Sequence, residues 1–470
     1  MNRKTTSFII EDADEFKQQA LKWADDNFST VLYCDNNHYK DYPYSTYEGL
    51  IAAGVQDSIS LSSGNAFQKL KDFYEQKKDW LFGFLGYDLK NEIEHLTSKN
   101  QDGLNFPDLF FFQPEWVIEI HKRHAVVHSS LTPPLSKGEG DRTLFPFGTK
   151  TQFNTEFFSS SIEKTHYRSN SPLLWRGGGG EAFKLQSRIS KSDYLRTVEK
   201  IQQHIFKGDI YEMNYCQEFF AEDATLNLLD TFIELNELSK APFTCYLKHN
   251  ENYLLSGSPE RFLKKNGNKL ISMPIKGTAK RGKTFEEDAL LREKLLSDQK
   301  ERSENVMIVD LVRNDLSRSC NAGSVNVEEL FGIKTFEQVH QMVSTISGTL
   351  REEVHFIDAI KNAFPMGSMT GAPKVRAMEL IEQYEKSKRG LYSGAIGYIS
   401  PDGDFDFNVV IRSLLYNSIN QYLSLHVGSA ITVDSVPEKE YEECLLKAKA
   451  LREVLKSSVV SQQPSVGADL

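Results

Sequence analysis

The stretch NYLLSGSPERFLKKNGNKLISMPIKGT, Asn252–Thr278, decides the fold. Its runs NYLLSGS, ERFLKK and KLISMPI surround the dipeptide Asn266-Gly267, and an Asn-Gly pair between apolar segments favours a tight hairpin turn. Strands joined by so short a turn are antiparallel, because a parallel pair needs a long crossover. Counting outward from Asn266-Gly267, Lys265 is expected opposite Asn268 and Glu260 opposite Met273, so Glu260 and Lys276 approach the same end of one hairpin. Strict alternation would put them on opposite faces of the sheet. Pro274 and Gly277 interrupt the pleat, so alternation need not hold there.

Working outward, VLYCD, WLFGFLGYDL and FFQPEWVIEIH read as strands before this hairpin, and SGAIGYIS, FNVVIRSLLY and YLSLHVGSAITV read as strands after it. Between and beyond them, KSDYLRTVEKIQQHIFKGD, FEEDALLREKLLS, ERSENVMIVDLVRND, APKVRAMELIEQYEKS and PEKEYEECLLKAKALREVL read as helices, the first ending at Gly208. Hairpins mixed with long helices predict an α+β protein with antiparallel sheets covered by helices. The texture breaks between LTPPLSKGEGD and SPLLWRGGGG, which predicts a disordered insertion over 131–180. The expected organisation is an N-terminal part over 1–130, that insertion, a catalytic region over 181–458 and a disordered tail over 459–470.

At 470 residues and 40% hydrophobic composition the chain can bury a sizeable core. A net charge of −10 gives no basic footprint, which argues against nucleic acid or an anionic membrane as the main partner and favours a small molecule. There is no apolar run of about 18 residues, and MNRKTTSFIIEDADEF turns acidic early, so neither a membrane span nor a signal peptide is read and the cytoplasm is the expected compartment. The five cysteines have no C-x-x-C spacing and are read as reduced thiols.

Residues that could carry chemistry stand out against this background. Glu301/Glu304 and Glu440/Glu443 each present two carboxylates on one helix face near a helix start. The helix dipole alone favours acids there, but two such pairs together suit a hard cation such as Mg²⁺, which takes one or two carboxylates plus water and substrate oxygens. GSMTGAPK joins a small-residue loop to a helix with Pro373 at its start, an arrangement whose amides bind anions, although it does not match the phosphate loop G-x-x-x-x-G-K-[ST]. His340 is a possible acid or base, with a structural hydrogen-bonding role as the plainer reading.

In order along the chain, GDIYEMNYCQEF, SGSPERF, PIKGTAKRG, KERSENVMIVDLVRNDL, VHQMVSTISG, PMGSMTGAPKVRAMELIE, YSGAIGYIS, IRS and GSAITVDSVPEKEYEEC resemble the chorismate-utilising enzyme family. That family includes the anthranilate, aminodeoxychorismate, isochorismate and salicylate synthases. The resemblance covers about 186–458, and so long a collinear set of motifs is specific. It implies a fold of two antiparallel sheets packed together and covered by helices. The family usually reads P-I-A-G-T where this chain has Pro274-Ile275-Lys276-Gly277-Thr278, and a lysine there resembles the aminodeoxychorismate-forming branch, in which it is a covalent nucleophile.

By that resemblance, Lys276 would attack C2 of chorismate as the C4 hydroxyl leaves, Glu260 would be the general acid, and ammonia would then enter at C4. The lysine must be neutral to attack, which a desolvated pocket near a cation would promote. Glu304 and Glu443 match the family's metal carboxylates, with Glu301 and Glu440 beside them and Mg²⁺ as cofactor. His340, Thr370, Tyr392, Arg412, Gly428, Ser429 and Ala430 fall on substrate-binding positions. Glu212 departs from the pattern: the water-adding branch carries a base lysine there and the amino-transferring branch usually a glutamine. No cysteine sits in a G-x-C-x-G elbow, so ammonia is expected from glutamine through a separate glutaminase subunit, and the product is expected to be 4-amino-4-deoxychorismate for 4-aminobenzoate and folate synthesis. The alternatives are an anthranilate synthase large subunit of tryptophan biosynthesis and a non-catalytic protein that keeps the fold.

Overall fold

Alternation along buried strands sets the architecture of the protein, seen here in a computed structural model that describes residues 3–39, 42, 44–130, 183–337 and 339–457. In the strand Thr30–Asp35, Leu32 enters one core while Val31 and Tyr33 enter another; in Gly49–Ala53, Leu50 and Ala52 oppose Ile51 and Ala53 in the same way. Both faces are covered, which is why these strands read as continuous apolar runs.

The first sheet has twelve strands in the spatial order Lys4–Ile9, His124–Ser129, Trp116–Ile120, Gly49–Ala53, Thr30–Asp35, Phe243–His249, Asn252–Ser258, Ser413–Asn417, Tyr422–Ile431, Glu212–Ala221 and Gly371–Ala372, with Gln186–Ser187 also on Glu212–Ala221. The second has ten, in the order Ile275–Lys280, Val339–Thr349, Lys269–Met273, Arg261–Asn266, Phe405–Val409, Ala395–Ile399, Leu81–Leu85, Leu109–Gln113 and Asp57–Leu61, with Asn326–Thr335 on Val339–Thr349. The ladders within both sheets are antiparallel, as in Cys34↔Cys245 and Phe84↔Phe110.

Leu32 and Leu50 of the first sheet share one core with Phe82, Phe84 and Phe110 of the second, so the sheets pack face to face. Each of those phenylalanines is fully buried, a contribution of roughly 1.5–3 kcal/mol apiece before entropy is counted. Helices cover the outside. Ala13–Asn27, Lys191–Phe206 and Pro437–Ser457 lay Phe16, Val198 and Leu451 on the first sheet, while Gln299–Ser317 and Phe356–Ala363 pack Ile308 and Ile360 with Leu270 and Ile346 of the second. This is the predicted α+β class. The expected insertion over 131–180 and tail over 459–470 lie outside the described residues.

The opening hairpin is present with its register corrected by one residue. Lys265 faces Leu270 and Asn266 faces Lys269, so the two turn residues are Gly267 and Asn268, with Gly267 at φ 60°. A glycine at the first turn position supplies the positive φ that the second residue then does not need. A bulge between Arg261 and Lys264 shifts the ladder again, and Arg261, not Glu260, faces Met273. Glu260 therefore sits in the link between Asn252–Ser258 and Arg261–Asn266. Lys276 lies on a separate strand, Ile275–Lys280, which leaves the hairpin at Pro274 and pairs with Val339–Thr349.

Candidate active site

Lys276 is aimed by an irregular strand. The ladder shifts register between Ile275 and Thr278, and Gly277 sits there at φ 89°. A Cβ at Gly277 would stand 3.1 Å from Glu301 Oε2, so the glycine also lets the helix Gln299–Ser317 press against the strand beside the lysine. Asp298 caps that helix by accepting from the Glu301 amide at 3.1 Å, which anchors the turn bearing Glu301 and Glu304.

Glu212 opens the strand Glu212–Ala221, opposite Ala372. Lys276 Nζ donates to Glu212 Oε1 at 2.5 Å, and Lys276 and Glu212 are only 8% and 1% exposed. Burial disfavours the lysine's charge, but Glu212, Glu304 and Glu260 outweigh it and hold the amine well above its ordinary range. The lysine is thus an ammonium in this state. Burial by itself would favour the neutral amine needed for attack; the acids around it outweigh burial here.

Glu260, also buried, accepts a 2.6 Å hydrogen bond from Ser368. Burial raises its carboxyl to about 7, against opposing pulls from Ser368 and Lys276. That is the range in which a carboxylic acid delivers a proton at neutral pH. Ser368 belongs to the GSMTGAPK segment, whose Gly371–Ala372 strand pairs with Glu212–Met213; a Cβ at Gly371 would strike the Glu212 carbonyl oxygen at 2.1 Å. One loop thereby positions the partners of both Glu260 and Lys276. The segment was conspicuous in the sequence, yet Ser368 itself carried no signal beyond being polar among small residues.

The acidic pairs come from two helices. Burial raises Glu304 to about 7 and raises Glu301, where Glu443 adds to the effect. Glu443 is lowered despite its burial, chiefly by Lys447, which donates to it at 2.6 Å. Lys300 lies 3.7 Å from Glu304 Oε1 and 3.3 Å from Glu440 Oε1, a cation shared by both helices that sequence reading had not singled out. Among the described residues no three acid, histidine or cysteine side chains are grouped as tightly as a bound metal requires. The donor chemistry nonetheless fits a hard cation: Glu304 Oε1 and Glu440 Oε2 are buried oxygens with no hydrogen bond.

Arg412 sits at φ 52°, and its guanidinium has no hydrogen bond or ion pair among the described residues. Burial draws its pKa down, with Tyr392 and Glu443 opposing. Tyr392 is buried, stacks on His426 with centroids 5.0 Å apart, and receives a 3.7 Å contact from the Cys216 thiol. Gly428, Ser429 and Ala430 pair with Cys216, Tyr215 and Asn214, while the ladder to Ser413–Asn417 stops at Leu415–Ser424, leaving that edge of the strand without a partner strand. Thr370 is tied to its own loop, donating to the Met366 and Gly367 carbonyls at 3.2 Å. His340 is held at both ring nitrogens, by Thr335 at 3.0 Å and Asp288 at 2.9 Å.

A family model for chorismate binding enzymes matches residues 32–453, a span that contains every residue of the site described above. The chain belongs to the chorismate-binding enzyme family. Within that family it is 35% identical over 370 residues to aminodeoxychorismate synthase component 1 of Escherichia coli, covering 78% of this chain and 75% of that one. It is 34% identical over 449 residues to the chloroplastic aminodeoxychorismate synthase of Arabidopsis thaliana, covering 93% of this chain and 47% of the relative. Anthranilate synthase component 1 of Aquifex aeolicus is 32% identical over 389 residues, covering 82% and 75%. The chain spans less than half the length of the plant relatives it matches. The crystal structure of anthranilate synthase component I from Streptococcus pneumoniae superimposes with a TM-score of 0.66 at 26% identity, over 85% of this chain and 91% of that one. The two-sheet architecture with its helical cover is therefore the family's fold.

Proposed function

We propose that this chain is the synthase component that converts chorismate and ammonia to 4-amino-4-deoxychorismate, with Lys276 as covalent nucleophile. The observation that carries this reading is the buried amine of Lys276, held beside Glu212 within the electrostatic reach of Glu260 and Glu304. By the family resemblance, a lysine at that place in the PIKGT segment is the mark of the aminodeoxychorismate-forming branch, the others usually carrying alanine.

In the proposed reaction, Lys276 Nζ forms a bond to C2 of chorismate, both ring double bonds shift toward C4, and the C4–O bond breaks as Glu260 protonates the departing hydroxyl. Water leaves. Ammonia then bonds at C4, both double bonds shift back, and the C2–N bond to Lys276 breaks, so two displacements place the amine with retained configuration. Arg412 would grip a substrate carboxylate through its planar fork, with Tyr392, Thr370 and the unpaired edge at Gly428–Ala430 completing the cradle. Glu304 and Glu443, with Glu301 and Glu440 adjacent, would hold Mg²⁺, which supplies charge neutralisation at the ring carboxylate when bound. Ammonia would come from a separate glutaminase subunit; the Escherichia coli relative is named as a component 1.

Anthranilate synthases match at comparable identity, so product identity tests the reading. Incubation with chorismate, Mg²⁺ and ammonium should yield 4-amino-4-deoxychorismate. Formation of 2-aminobenzoate as the main product would place the chain in the other branch.

A further inference from the structure

The contact at the centre of the site is one the reaction above leaves unused. A lysine that must attack carbon is held as an ammonium, and only a neutral amine has the lone pair for the first bond. The charged groups facing Lys276 are Glu212 from the strand Glu212–Ala221, Glu304 from the helix Gln299–Ser317 and Glu260 from the link before Arg261–Asn266. They are not equivalent. Glu260 is engaged by Ser368 and is needed as an acid, and Glu304 faces Lys300. Among the described residues Glu212 alone touches the ammonium, at 2.5 Å.

Its surroundings suit it to receive a proton. Among the described residues Glu212 Oε2 is buried with no hydrogen bond, so one oxygen of the carboxylate is left open while the other holds the ammonium. The backbone is fixed on both sides: the amide of Tyr211 donates to the Ala372 carbonyl at 2.7 Å, and Met213 pairs with Gly371 and Ile431. The carboxylate therefore stays against Nζ.

Resting on the reading of Lys276 as nucleophile, we propose that Glu212 is the proton acceptor that converts the Lys276 ammonium to the attacking amine. The step balances. Lys276 ammonium, Glu212 carboxylate, protonated Glu260 and substrate alcohol become the C2–N adduct as a secondary ammonium, protonated Glu212, Glu260 carboxylate and water. When ammonia expels the lysine as a neutral amine, Glu212 returns its proton to the lysine, the new C4 ammonium gives one to Glu260, and all three groups are restored. Glu212 acts through Lys276 and is a positioning residue with respect to substrate.

The test is the single-turnover rate of chorismate consumption, with Mg²⁺ and ammonium, in wild type, Glu212→Gln and Glu212→Ala. In the wild type the proton moves within the pair, so between about pH 7 and 9 the rate should follow only the loss of the Glu260 proton. In Glu212→Gln the amine must lose its proton to solution, so the rate should fall at least tenfold at pH 7, and the deficit relative to wild type should shrink about tenfold per pH unit. Formate should restore part of the rate to Glu212→Ala and none to Glu212→Gln. Chorismate affinity, measured by equilibrium dialysis, should stay within about threefold, since only the proton transfer is removed. A Glu212→Gln enzyme with the wild-type rate and the wild-type pH profile would overturn the proposal. So would a loss that neither pH nor formate repairs while chorismate affinity holds. If the wild type forms 2-aminobenzoate, or Lys276→Ala retains full activity, the underlying reading fails and the proposal falls with it.

Discussion

Ser368 donates a 2.6 Å hydrogen bond to Oε1 of Glu260, the carboxyl that burial has raised to about 7. The bond favours the ionised form, so Ser368 sets how far the acid is raised. In Ser368→Ala the pKa should rise further, and the alkaline limb of the kcat/KM profile should move to higher pH by about half a unit to one unit. A limb that stays put or moves down would show that Glu260 is not the acid responsible for it.

Replacing Glu260 separates chemistry from stability. On folding, its pKa goes from an ordinary 4.5 to about 7, and each unit is worth about 1.4 kcal/mol. A raised folded pKa means that the stabilisation is complete below pH 4.5 and is lost as pH rises through 7. Glu260→Gln should therefore lower kcat by about 10²–10⁴ and yet unfold at higher denaturant than wild type at pH 8, by up to about 3 kcal/mol, with the difference vanishing near pH 4. Chemical denaturation at both pH values checks this.

Arg412 has no protein partner for its guanidinium among the described residues, so its replacement should act on substrate. For Arg412→Lys, losing one arm of a bidentate charge-assisted contact, about 1.5–3 kcal/mol, should raise the chorismate KM roughly ten- to a hundredfold. Folding stability should be unchanged or higher. A drop in melting temperature with KM intact would assign Arg412 to the scaffold.

Lys300 holds the place of a cation between Glu304 and Glu440. Lys300→Met should lower the melting temperature without metal and enlarge the rise that Mg²⁺ produces, because a ligand at a hundred times its Kd stabilises by about 2.7 kcal/mol. Glu304→Gln should shrink that rise. Thermal unfolding against Mg²⁺ concentration measures both, and an equal response from all three proteins would place the metal elsewhere.

The hairpin at Gly267, the strand and helix pattern and the acidic pairs were legible because each has a local signature: a turn dipeptide, a period of two or 3.6, or carboxylates three apart. The register was not, since Asn266-Gly267 and Gly267-Asn268 are both acceptable turns and only the full ladder chooses between them. Nor was the charge on Lys276. It depends on Glu212, 64 positions away in sequence, which the topology brings to contact distance. Ser368 and Lys300 went unread for the same reason, because their importance lies in partners more than a hundred residues distant. His340 was visible as a histidine, but its bonds to Thr335 and Asp288 needed the structure.

The central claim is that Lys276 forms a bond to substrate. Its most direct test is intact-protein and product mass spectrometry of wild type and Lys276→Ala, each quenched after incubation with chorismate, Mg²⁺ and ammonium. The wild type should carry a chorismate-derived adduct, one water lighter than the sum, and release 4-amino-4-deoxychorismate, while the variant should show neither. Release of that product by Lys276→Ala at an undiminished rate would contradict the claim.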